Sequence, residues 1–288
     1  MISDTLSKLE SLKKERNAVI LAHYYQDPDI QDVADFVGDS LALAQYAVKT
    51  DADVILFCGV HFMCETAKIL NPNKRVILPD MDAGCSLADS ASPNKFKAWV
   101  DSHPDHVVIT YINCSAKVKA VSDIICTSSN AEKIITSLPE DKKVIFAPDK
   151  YLGAFLQKKT GRDLLLWDGS CQVHEIFSER ELIRLKTRNP NALVLAHPEC
   201  DENILRHSNH IGSTTSIIKF AYESNIEKII IATEPGAIHK MEKESPHVRL
   251  NTIEKMVTSL YTMSPKIILS EDYQFKALAP LEKMLALS

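Results

Sequence analysis

Short apolar runs alternate along the chain with polar, helix-patterned stretches. The segments "VILAHYYQDPDIQDVADFVGDSLALAQYA" from Val19, "VVITYINCSAKVKAVSDIICTSSNAEKII" from Val107 and "LVLAHPECDENILRHSNHIGSTTSIIKFA" from Leu193 share one template. Each runs through an apolar strand, a polar turn, a helix, a second short apolar stretch, a hydroxyl-rich turn and another helix. The copies begin about 87 residues apart, close to the size of a small α/β unit. The repeat continues in "ADVILFCGVHFMCETAKIL", "KKVIFAPDKYLGAFLQKKTG" and "EKIIIATEPGAIHKMEKESP", each a buried strand, a loop and a helix. In "KRVILPDMDAGCSLAD" and "RDLLLWDGSCQVHE" a further strand leads within a few residues to a cysteine.

Such alternation predicts parallel sheets covered by helices on both faces. The expected fold class is therefore α/β, with three homologous three-layer αβα units arranged about a pseudo-threefold axis. The units are expected at residues 1–92, 93–187 and 188–263, the last apparently shortened. Residues 264–288 read as one more strand and a helix that packs back on the first unit. Shared α/β grammar alone would make the apolar residues coincide. Here the polar ones coincide too: His23, Tyr111 and His197 fall at strand ends, and Ser40, Ser128 and Thr214 fall before helices.

Composition narrows the class. The chain is 45% hydrophobic and 25% charged, ordinary for a soluble globular protein. A net charge of −5 gives no nucleic-acid footprint. No apolar run approaches the roughly 18 residues of a membrane span. The opening "MISDTLSKLESLKKERN" lacks the apolar core of a secretory signal, so a cytoplasmic protein is expected. Seven cysteines, an odd count in a chain without such a signal, argue against a disulfide framework. Neither of the common glycine-rich phosphate-loop motifs is present.

In open parallel sheets, ligands bind beyond the carboxyl ends of the strands. Converging ends would bring His23, Tyr24 and Tyr25 to Tyr111 and Asn113, and to His197 and Glu199. Ser40, Ser128 and Thr214 either cap helices or help helix N-termini hold an anion with several charged groups. Cys85 and Cys171 each follow a strand by a loop and open a helical segment, a position expected to lower a thiol pKa and suit metal ligation. The symmetry asks for a third thiolate from the third unit, which would suit an iron–sulfur cluster acting as a Lewis acid. His174, three residues after Cys171, is expected near whatever Cys171 binds. His61, His103, His106, His207, His210, His239 and His247 carry no repeat-level signal and read mostly as surface or loop residues.

The motifs "AHYYQ", "GDSL", "PDMDAGCSLAD", "YINCSAKVKAVSD", "TSSNA", "APDKYLG", "HPEC" and "ATEPG", in this order over nearly the whole chain, resemble the quinolinate synthase family. The resemblance implies three homologous α/β domains around a central cavity and a [4Fe–4S] cluster on three cysteines. It also implies condensation of iminoaspartate with dihydroxyacetone phosphate, with loss of two waters and phosphate, to give quinolinate for NAD biosynthesis. By position, His23, Tyr25, Ser40, Tyr111, Asn113, Ser128, His197, Glu199 and Thr214 match substrate-pocket residues, and Cys85 and Cys171 match two cluster ligands. Glu199 is the expected general base, with His197, His23 and Tyr25 assisting proton transfer. The two substrates are the expected partners, with the enzyme that supplies iminoaspartate a candidate; no nucleic-acid or membrane partner is expected.

The family's third cysteine has no counterpart, because no cysteine follows Cys200. Ser245, His247 and Cys200 are the candidate substitutes, and Cys200 reads as structural. Two functions follow: a synthase with an altered cluster site, or a cluster-free variant that keeps a small-anion pocket. A third, an aldolase or lyase acting on a sugar phosphate, lacks a marked Schiff-base lysine among Lys117, Lys119 and Lys150.

Overall fold

The computed structural model describes residues 2–223, 229–238 and 266–288. After α1 (Ile2–Glu15) come β1 (Ala18–His23), α2 (Pro28–Val33), β2 (Phe36–Gly38), α3 (Ser40–Lys49), β3 (Val54–Cys58), α4 (His61–Leu70), β4 (Arg75–Ile77) and α5 (Ser86–Ser90). The pattern repeats after α6 (Pro93–Asp101) with β5 (His106–Tyr111), α7 (Ala116–Lys119), β6 (Ile124–Cys126), α8 (Ala131–Ser137), β7 (Lys143–Ala147), α9 (Lys150–Thr160), β8 (Leu164–Leu166) and α10 (Gln172–Glu175). It starts a third time after α11 (Glu179–Arg188) with β9 (Leu193–Ala196), α12 (Glu202–Leu205), β10 (His210–Ile211), α13 (Thr214–Glu223) and β11 (Ile229–Ala232). A 3₁₀ turn at Pro235–Ile238 and α14 (Glu271–Leu287) follow.

The strands form parallel sheets of order β2-β1-β3-β4, β6-β5-β7-β8 and β10-β9-β11. The first two share one topology, and the third repeats it without a fourth strand among the described residues. The central strands are continuous apolar runs because helices cover both faces; all five residues of β3 are buried.

One polar clip recurs in all three sheets. Asp35 Oδ2 accepts from Ile20 N at 2.8 Å, Asp123 Oδ2 from Val108 N at 2.8 Å, and Asn209 Oδ1 from Val194 N at 2.9 Å. In each case the backbone N–H of the same Asx residue returns a bond to the central-strand carbonyl. The Asx residue thus pins the chain just before the short edge strand, satisfying a central-strand donor ahead of the point where edge pairing begins.

The C-terminal segment touches two units. Lys266 bridges antiparallel to Ile77 of the first sheet, while α14 packs against α4 and also against β6, α7 and α8. The expected packing onto the first unit is therefore only part of its contact. No helix among the described residues is long and apolar enough to cross a membrane.

Candidate active site

The three central strands deliver their polar ends to one cavity. His23 is the last residue of β1, Tyr111 the last of β5, and His197 follows β9 directly. All three line that cavity, together with Tyr25, Asn113 and Glu199, which stand two residues further along their own loops. Ser40, Ser128, Thr214, Cys85 and Cys171 complete the expected set on the same walls. Tyr24 is not among the lining residues.

The strand-end turn is the same in the first and third units. Tyr25 N donates to His23 Nδ1 at 3.2 Å, and Glu199 N donates to His197 Nδ1 at 3.4 Å. With Nδ1 accepting, each neutral imidazole carries its proton on Nε2. His197 Nε2 then donates to Ser128 Oγ at 3.2 Å, joining the third unit to the second. Burial pushes both imidazoles down to about 4; the nearby carboxylates oppose this and do not overcome it.

Glu199 is 2% exposed and is the cavity's central carboxylate. Burial alone would raise its pKa. His197, His174 and the Tyr111 hydroxyl, which donates to Oε1 at 2.6 Å, together hold it well below the usual carboxylate range. The phenols respond in the opposite sense: burial and the Glu199 charge push Tyr111 and Tyr25 upward, so both stay protonated donors. Tyr25 Oη lies 2.9 Å from Thr214 Oγ1 and 3.2 Å from Thr233 Oγ1, tying the first unit to the third. The "ATEPG" motif explains how the loops fit. A Cβ at Gly236 would lie 2.7 Å from the main chain of Tyr25, so only glycine allows the approach.

The hydroxyl positions do not cap their helices. Asp39 caps α3, accepting from Ala42 N at 3.0 Å, so Ser40 is the first helical residue. Asn130 holds the cap position of α8, and Ser213 Oγ accepts from Ser216 N at 3.3 Å in front of α13. Side-chain capping falls to Asp39 and Ser213, Asn130 makes no cap bond, and Ser40, Ser128 and Thr214 are left on the cavity wall.

Cys85 and Cys171 occupy the cap positions of α5 and α10, as the pattern predicts. The expected lowering of their pKa is not found. Burial pushes the Cys85 thiol up to about 12 and the Cys171 thiol well above its ordinary value. The helices they cap have only five and four residues, so the N-terminal dipole is weak, and the Glu199 charge opposes ionisation of both thiols. Cys200 is buried and points its Sγ to Ala232 O at 3.3 Å, away from the cavity lining, so it is structural. Ser245 and His247 lie outside the described residues.

Sequence patterns missed several lining residues. Asp39, Thr127 and Ser129 flank singled-out hydroxyls, and Glu234 sits inside "ATEPG". Glu234 Oε2 accepts from Gly236 N at 2.8 Å, and burial raises its carboxyl to about 7. The acidic residue in a strand-end loop was its available signal. Of the lysines weighed for Schiff-base chemistry, none lines this cavity; Lys119 is fully buried with its Nζ on Cys114 O.

Parallel α/β sheets that end on buried imidazoles, phenols, a carboxylate and two thiols define an enzyme of small-molecule chemistry with room for a metal group. The chain belongs to the quinolinate synthetase A protein family, whose model matches residues 7–286. It is 54% identical over 304 residues to the quinolinate synthase of Trichodesmium erythraeum, covering 99% of this chain and 94% of that protein. The quinolinate synthase of Chloroherpeton thalassium is 55% identical over 305 residues, covering 99% and 95%. A solved E-1-hydroxy-2-methyl-but-2-enyl-4-diphosphate reductase from Plasmodium falciparum aligns over 91% of this chain and 94% of its own, at 13% identity and a TM-score of 0.34, too remote to carry an argument.

Proposed function

We propose that the chain is a quinolinate synthase, condensing iminoaspartate with dihydroxyacetone phosphate for NAD biosynthesis in the cytoplasm. The observation that carries this is the meeting in one cavity, from three parts of the chain, of all nine positions that match the family's substrate pocket and both matching cysteines. The recurring Asx clip supports three homologous units. Three sheets whose central strands end on one cavity support the pseudo-threefold arrangement.

Within the cavity, Glu199 is ionised and placed to take protons, and Tyr111 orients it. His23 and His197, neutral at working pH with Nδ1 held by a backbone N–H, each present an Nε2–H donor at the cavity wall. Hydroxyls of Ser40, Ser128 and Thr214, with the amide of Asn113, are donors for the carboxylates and phosphate of the substrates. Asn113 Oδ1 is buried without a hydrogen-bond partner among the described residues, as a group awaiting a ligand would be.

The donor set fits a [4Fe–4S] cluster: Cys85 and Cys171 share the cavity, and beside them the buried Nδ1 of His174 makes no hydrogen bond among the described residues. Cys85 and Cys171 would hold it. When bound, such a group supplies an open iron that polarises a substrate oxygen and eases loss of hydroxide. The alternative, a cluster-free anion-binding descendant, is not favoured by relatives that match 99% of the chain.

Anaerobic reconstitution with iron analysis and a quinolinate assay tests the reading. The wild type should bind about four irons and sulfides per chain and form quinolinate. Cys85→Ala should lose the iron, and Glu199→Gln should keep it and lose turnover. A wild type that binds a dicarboxylate but neither holds iron nor makes product would overturn the assignment.

A further inference from the structure

Gln31 is half-buried on α2 and lies outside the cavity lining. Its Nε2 donates to three backbone carbonyls: Gln26 O at 2.7 Å, Tyr24 O at 3.0 Å and Gly236 O at 3.1 Å. The first two belong to the residues on either side of Tyr25, the cavity phenol. The third belongs to the "ATEPG" loop after β11, 205 residues along the chain.

The local sequence puts an amide there. Asp27 caps α2, accepting from Asp29 N at 3.2 Å, and Pro28 opens it, so the helix starts directly after the Tyr25 loop. Ile30 is 1% exposed and anchors the helix in a core cluster with Ile20 and Ala22. Gln31 follows about 100° round the helix from that buried face and reaches back over the loop. An amide has two N–H hydrogens, so three oxygens share them. The reverse orientation would set Oε1 against three carbonyl oxygens, which fixes the nitrogen in this place.

The grip extends to the second loop. Gly236 O accepts from Gln31, while Gly236 N donates to Glu234 Oε2 at 2.8 Å. The space of a Gly236 Cβ is filled by the Tyr25 main chain. Beyond this junction Tyr25 Oη meets Thr214 Oγ1 and Thr233 Oγ1.

We propose that Gln31 is a positioning residue for the reaction: one side-chain amide locks the Tyr25 loop to the Glu234 loop and so sets where the Tyr25 phenol stands in the cavity. This rests on the synthase reading above. Gln31 touches no substrate and acts through Tyr25.

The test labels the eight tyrosines of the full chain with 3-fluorotyrosine and reads them by fluorine NMR. Tyr25→Phe and Tyr111→Phe assign the two cavity signals. In Gln31→Met, of similar length but without a donor, the Tyr25 signal should shift or broaden while the Tyr111 signal stays. There kcat/KM for quinolinate formation should fall by about ten- to a hundred-fold. Most of that loss should vanish in the Tyr25→Phe background, because coupled residues are not additive. Gln31→Lys, which restores N–H donors, should recover most of both readouts. Should Gln31→Met not fold, Gln31→Glu, which keeps the shape and removes the donors, takes its place. The proposal is overturned if the Tyr25 signal is unmoved, if the Tyr111 signal moves equally, if the losses simply add, or if Gln31→Lys is no better than the donor-free variant. The spectra need no turnover, so a wild type that makes no quinolinate defeats the synthase reading, while an unmoved Tyr25 signal in an active enzyme defeats only the role of Gln31.

Discussion

The Tyr111 hydroxyl donates to Oε1 of Glu199 at 2.6 Å, joining the end of the second unit's central strand to the loop after the third's. A hydrogen bond to a buried charge contributes about 1.5–3 kcal/mol. Tyr111→Phe removes it without changing the ring. The Glu199 pKa is then expected to rise, and kcat to fall by roughly ten- to a hundred-fold, with the acid limb of the rate profile moving to higher pH. A pH–kcat profile checks this, and an unmoved acid limb would separate the pair from the chemistry.

His23 and His197 are expected to stay neutral down to about pH 4. Each is a base whose folded pKa lies below its ordinary 6.5. Its contribution to stability is complete above pH 6.5 and drains away as the pH falls towards about 4. Glu234 works in the opposite sense, its penalty growing between 4.5 and about 7. A global unfolding midpoint mixes the two, so imidazole carbon and nitrogen shifts in a pH titration are the right measurement. Protonation of either ring at pH 6 would contradict the burial argument.

Glu234 gives the cavity a charge that switches near neutrality. Below about pH 7 its carboxyl is neutral; above, it is an anion on the wall of a site for anionic substrates. KM for the phosphate-bearing substrate is therefore expected to climb as the pH passes through 7 in the wild type. In Glu234→Gln that climb should flatten. Steady-state kinetics between pH 6 and 8.5 decide the matter, and identical KM profiles for the two proteins would refute it.

Asp39 ties three parts of the chain together on the cavity wall. Its Oδ1 caps α3, and its Oδ2 accepts from Thr215 Oγ1 at 2.6 Å and Ser129 Oγ at 3.2 Å. Asp39→Ala loses a cap worth about 1 kcal/mol and both ties, which lowers the melting temperature by roughly 2–4 °C per kcal/mol and raises KM. Asp39→Asn keeps the cap and should recover most of the melting temperature. Calorimetry on the two variants would expose a purely local role if both melt alike.

Much of this site was legible in the chain order. The central strands are largely buried, so they are written mostly as apolar runs, and a histidine or tyrosine that ends such a run stands out. His23, Tyr111 and His197 were visible for that reason, and the repeat made their meeting predictable. Cys85 and Cys171 were visible as matched positions in matched loops. Asp39 and Glu234 were not, because an acidic residue next to a serine or inside a turn looks like surface until its neighbours in space are known.

By itself, then, the sequence determined the α/β class and part of the cavity wall, because buried strands and the residues that end them leave a local pattern along the chain. Tertiary structure alone decided the protonation states. The two thiols sit where short helices begin, which in isolation favours the thiolate, yet burial and the charge of Glu199 drive them the other way. Glu199 itself is held below the usual carboxylate range at 2% exposure because groups brought from elsewhere in the chain, the donating Tyr111 hydroxyl among them, close around it. Solvation and through-space charge have no period along a chain, so no pattern of residues could have announced them.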